Sequence, residues 1–80
     1  MSANRTPPDA AQLADFEAGR PVPGVDFAHD ELVTILAGEN AGNVGTIVAL
    51  AWLGDEPGYR VEIDSGFEVE VAQSGLERAE

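Results

Sequence analysis

Gly38, Gly42 and Gly45 punctuate the interval between two apolar runs, Leu32 to Leu36 and Thr46 to Leu53. Glycine alone combines freedom at positive φ with room for close backbone approach. Three in eight positions therefore call for a compact loop over 38–45 that turns the chain back on itself. The flanking runs, carrying Val33, Ile35, Ile47 and Val48, are read as the first and second strands, since β-branched residues fit a pleated, half-buried surface.

The next segments fix a register. Tyr59, Val61 and Ile63 alternate with Arg60 and Glu62, and Phe67, Val69 and Val71 alternate with Glu68 and Glu70. Each strand thus has one apolar and one charged face. The intervening Asp64-Ser65-Gly66, taken as a three-residue loop, pairs Ile63 with Phe67, Val61 with Val69, Glu62 with Glu68 and Arg60 with Glu70. A two-residue loop would set Ile63 against Glu68 and mix the faces, which burial forbids. Gly66 then takes the left-handed position of the loop. A last short strand is expected near Leu76 to Arg78, after a turn at Gln73-Ser74-Gly75. Strands separated by glycine-containing turns have the rhythm of a small antiparallel barrel or sandwich.

Ahead of the strands, Thr6-Pro7-Pro8-Asp9 reads as a helix start with Thr6 as the cap, Pro7 in the first position and Asp9 three residues on. Leu13 and Phe16 share one side of that helix and Gly19 ends it. Arg20-Pro21-Val22-Pro23-Gly24 is an extended connector, because proline disfavours helix in the residue before it. The chain divides into an N-terminal tail with a short helix and Pro-rich connector, 1–24, and a β domain, 25–80. The second strand is apolar at nearly every position from Ile47 to Leu53, so its outer side needs a cover. Both the helix and a second copy of the chain are open as suppliers, so a homo-oligomer is among the expectations.

Fifteen acidic groups stand against four arginines, with no lysine, giving a formal net charge of -11. Such a balance repels phosphate backbones and anionic lipid, which select clustered lysine or arginine. A basic or neutral protein is the expected partner, and nucleic acid and membrane are not. No cysteine is present, which excludes a disulfide framework and thiolate chemistry and suits a reducing cytoplasm. The stretch from Met1 to Pro8 lacks the apolar run of a signal peptide, and the chain is read as soluble and cytoplasmic. Chains this short bury only about 60% of their unfolded surface, leaving little room for an enclosed active site.

The segment from Val33 to Leu50 resembles a KOW motif. Val33 and Ile35 stand at its apolar strand positions, Gly38, Gly42 and Gly45 at its glycines, and Ile47 and Val48 at its returning strand. KOW motifs occur in ribosomal large-subunit proteins and bacterial transcription-elongation factors. There they form the first hairpin of a small SH3-like barrel and often touch RNA. The resemblance implies a mainly β fold, a five-stranded antiparallel SH3-like barrel with the short helix added. Where RNA-contacting members carry lysine or arginine, this chain has Glu39, Asn40, Ala41, Asn43, Val44, Thr46 and Ala49. The loop has therefore lost the electrostatic part of phosphate binding.

These features point to a non-enzymatic acidic interaction module or accessory subunit. Its expected partner-binding residues are Trp52, Tyr59, Glu62, Glu68 and Glu70, with Glu39 and Asn40 as a second locus. Aromatics supply contact area at low entropic cost, and Glu62 opposite Glu68 makes a repulsive pair open to a partner's cation. The alternatives are an acidic inhibitor or immunity-type protein imitating nucleic acid, and a KOW-type RNA- or ribosome-associated protein. No catalytic residue, cofactor site or metal site is expected. His29 with Asp26, Asp30 and Glu31 matches no zinc or EF-hand spacing, and no serine has a base assigned to it.

Overall fold

Alternation and glycine placement reappear as one antiparallel sheet in the computed structural model, which describes residues 5–64 and 66–79. Residues 1–4, on which part of the signal-peptide reading falls, and Ser65 in the hairpin loop lie outside the described residues. The elements run β1 Arg5–Thr6, α1 Ala10–Glu17, β2 Leu32–Ile35, β3 Val44–Gly54, β4 Gly58–Ile63, β5 Glu68–Ala72, a 3-10 turn Gln73–Gly75 and β6 Leu76–Arg78. The sheet order is β5-β4-β3-β2-β6, with β1 paired separately to β3. The sheet curls but does not close: β5 and β6 are its two edges, and the 3-10 turn carries the chain between them.

The glycines divide into two physical roles. Gly38 and Gly42 sit at φ 86° and 91°, where a side chain is strained. Gly45 is instead a close-approach position: a Cβ there would lie 2.6 Å from the Glu62 carbonyl oxygen and 2.6 Å from Val61 Cγ1. It lets β2, β3 and β4 nest, with Val33 opposite Gly45 and Gly45 opposite Ile63.

The β4–β5 hairpin adopts the three-residue register, with Val61 opposite Val69, Glu62 opposite Glu68 and Arg60 opposite Glu70. The Ile63 amide donates to Phe67 O at 2.9 Å, and Gly66 is at φ 86°. Phe67 departs from the expected burial, since it is 70% exposed. It lies just before β5, at the end of the hairpin where the inner wall stops.

The helix begins later than the Thr6 cap implies. Two consecutive prolines keep the chain extended through Pro8, so Asp9 becomes the cap. Its carboxylate accepts from the Gln12 amide at 2.7 Å, and its own amide donates to Gln12 Oε1 at 2.9 Å. Thr6 instead extends the sheet opposite Leu53. The helix packs on β3, burying Phe16 and half-burying Leu13, so it supplies cover for that apolar strand from within the chain. Phe16 and the connector's Val22 join Val33, Ile35, Ile47 and Val61 in one core. Among the described residues, no helix is long and apolar enough to cross a membrane.

Candidate interaction face and open edge

Residues directly opposite one another on neighbouring strands share a side of the sheet. The register therefore lines Leu32, Thr46, Glu62 and Glu68 in one row across β2, β3, β4 and β5. Thr34 carries the same side to Val44 on β3 and Glu77 on β6. Arg60 and Glu70 follow in the next row, and Trp52 opposite Gly58 completes the wall at its far end. This is the outer face, since the alternate residues Val33, Ile47 and Val61 are fully buried on the other side.

The outer wall is anionic with apolar gaps. Arg60 sits among the carboxylates, with Nη2 3.2 Å from Glu70 Oε2 and Nε 3.8 Å from Glu68 Oε1. Those partners are about half exposed, which makes the pairs weak and screened. One guanidinium partly offsets Glu68 and Glu70, while Glu62 and Glu77 add further negative charge to the same wall. Leu32 and Val44 on this side are 53% and 41% exposed.

The two expected aromatic contacts part company. Trp52 stays on the outer face with its ring laid over Gly58, where a Cβ would come within 2.1 Å of Cε2. Its indole N–H donates to Glu56 O at 2.9 Å, and the Arg5 guanidinium lies 4.0 Å from the ring centroid. Tyr59 is a correction: it is 0% exposed and unavailable to a partner. One residue along a strand reverses the face, and the bulges in β3 leave Leu50, not Trp52, opposite it. Its hydroxyl accepts from the Asp26 and Phe27 amides at 3.2 and 3.4 Å and donates to Gln73 Oε1. Gln73 Nε2 donates in turn to Gly24 O at 3.2 Å. Tyr59 is thus a buried staple holding the connector to the sheet. Burial pushes its hydroxyl above the ordinary tyrosine pKa, against the lowering effect of the two amide donors.

Glu39 and Asn40 belong to neither aromatic. They sit at the tip of the glycine loop and, with Ile35, Val69 and Val71, line a groove of about 460 Å³. This groove runs along β5, on the side away from β4. Sequence reasoning missed this seam because pattern and register place neighbours within a sheet but not the gap where its edges fail to meet. His29 stacks edge-on against Phe16 at 6.0 Å and lies 3.4 Å from Asp30. No cluster of metal-ligating side chains occurs among the described residues. Comparison with protein-family models, curated proteins and solved structures finds no match to this chain.

Proposed function

We propose that this chain is a non-enzymatic protein-interaction module or accessory subunit with a KOW-related, SH3-like barrel, whose anionic outer sheet face receives a basic protein partner. The long bulged strand β3, the short strands hung on either side of it and the glycine-loop hairpin support the barrel reading. The functional reading rests on one observation: Glu62, Glu68, Glu70 and Glu77 share a wall with Arg60 and with exposed Leu32 and Val44. Carboxylates steer and orient a cationic partner, while the apolar gaps supply desolvated contact. Trp52, Glu62, Glu68 and Glu70 remain the contact residues, with Glu39 and Asn40 bordering the seam.

The RNA-associated alternative is disfavoured by the glycine loop, where Glu39 to Val44 offer no cation to phosphate. The nucleic-acid-mimic alternative shares the anionic wall and differs in predicting tight one-to-one inhibition of a basic enzyme. Affinity capture from native lysate, run in parallel with wild-type and Glu62→Lys/Glu68→Lys baits, tests the reading. Basic partners retained by wild type and lost by the variant are expected. Identical partners on both baits would overturn it, and a shift of mixed RNA at physiological salt would favour the RNA alternative.

A further inference from the structure

The β4–β5 register determines where the backbone of β5 points. In an antiparallel pair, hydrogen-bonded and non-hydrogen-bonded pairs alternate. Ile63 donates to Phe67 O, and Gln73 donates to Pro57 O at 2.8 Å, so the bonded pairs fall on the odd positions of β5, Val69 and Val71 included. The amides and carbonyls of Glu68, Glu70 and Ala72 therefore face away from β4. No backbone partner for these three amides occurs among the described residues. They open onto the groove lined by Val69, Val71, Ile35 and the loop tip at Gly38 to Asn40. Phe67, 70% exposed, stands at the entry to the same edge.

We infer that β5 is a docking edge for an extended basic segment of a partner protein, which adds antiparallel to β5 and fills the seam between the two edges. This rests on the proposed basic partner and specifies how it is held. A strand added there places alternate side chains against different surroundings. One set, opposite Val69 and Val71, points into the apolar groove. The other set, opposite Glu68 and Glu70, lies on the anionic wall, where lysine or arginine is selected and acidic residues are repelled. The same carboxylates argue against a second copy as the occupant, because antiparallel β5–β5 pairing sets glutamates against glutamates. Natural sheets guard free edges with charge, and here the guard has a single sign, which leaves cationic strands admissible. Backbone bonds supply affinity and the alternating side chains supply specificity, as in other strand-addition complexes.

The test uses the full chain and a short synthetic peptide alternating valine and lysine, titrated by NMR and calorimetry. Binding is expected with new protection of the Glu68, Glu70 and Ala72 amides. Methylating the lysine amides, which would pair with Glu68 and Glu70, is expected to weaken binding at least about ten-fold, since each methyl removes an edge hydrogen bond. Methylating the valine amides, which point away, leaves it within a few-fold. Glu70→Pro removes the outward amide together with the carboxylate and is expected to abolish protection, while Glu70→Gln removes the charge alone, keeps the amide and weakens binding modestly. The methylated-peptide arm stands even if the proline variant fails to fold. Equal binding of both methylated peptides, with shifts confined to Glu62 and its outer-face neighbours, would overturn the edge and leave the anionic-face reading intact. No binding of the unmodified peptide would overturn both. Equal binding of a valine–glutamate peptide, or a stable dimer of the free chain paired through β5, would overturn the choice of occupant.

Discussion

The two edges of the sheet end differently. At β6, Arg78 donates through Nε to Glu31 at 2.6 Å and through Nη2 to the Asp26 carbonyl at 2.6 Å, and it lies over the Phe27 ring. Tyr59 on β4 and Gln73 in the 3-10 turn hold the adjoining segment Gly24 to Phe27, so chain from outside the sheet lies within reach of Arg78 on β6. Along β5 itself, Glu68–Ala72, no such cover occurs among the described residues: the strand offers outward amides, a groove and two glutamates. The contrast teaches that an edge can be protected by cover or by charge, and that only the second leaves the backbone accessible.

The sharpest way to break this comparison is to remove the charge from the bare edge. A Glu68→Val/Glu70→Val variant is expected to turn β5 into an apolar edge and to self-associate more strongly than the wild type in sedimentation velocity. A variant that sediments like the wild type at the same concentrations would show that cover, not charge, protects β5. Next comes the strand from which both edges hang. Gly45→Ala drives a methyl into the Glu62 backbone and is expected to cost about 3 kcal/mol, the upper end for overpacking. Gly38→Ala, at positive φ but in open space, is expected to cost about 1 kcal/mol in the same denaturation series. Equal costs would refute the division of roles between Gly38 in the loop and Gly45 in β3.

On the stapled side, Tyr59→Phe takes the Phe27 amide's acceptor away, while the Asp26 amide keeps Gln73 Oε1 at 2.9 Å, and the change is expected to cost about 1–3 kcal/mol. Amide exchange across 24–27 should accelerate while β5 is unchanged. The same hydroxyl gives a pH signature. Its folded pKa is raised, so the unfolded chain releases the proton first. Its stabilising contribution is complete below the ordinary tyrosine value of about 10 and is lost as pH rises through the higher folded value. Tyr59 is the only tyrosine, so phenolate absorbance reads this directly, and ionisation at or below the ordinary value would contradict its burial. The smallest effect is expected for Arg78→Ala, below about 1 kcal/mol because the guanidinium is largely exposed, with faster exchange confined to β6 and Asp26–Phe27.

Much of this architecture is written in local pattern. The hairpin register follows from Ile63, Phe67 and Gly66, because any slip would bury a glutamate, and the strand positions follow from the glycines between apolar runs. What escaped is non-local. Tyr59 alternates with Arg60 like any inner residue, yet nothing nearby in sequence announces that its hydroxyl meets Asp26 and Phe27 across the fold. Asp9 displaced Thr6 as the cap because the second proline outweighs the first. Phe67 kept its register and lost its burial because the wall ends beside it. The open edge of β5 depends on how far the sheet curls, which no spacing of residues encodes.

Amide exchange of the free protein, resolved along β5, tests the bare edge most directly. Slow exchange at Val69 and Val71 alternating with fast exchange at Glu68, Glu70 and Ala72 is the predicted result. Uniform protection across all five amides would mean that the edge is already paired or covered, and the docking account would fail with it.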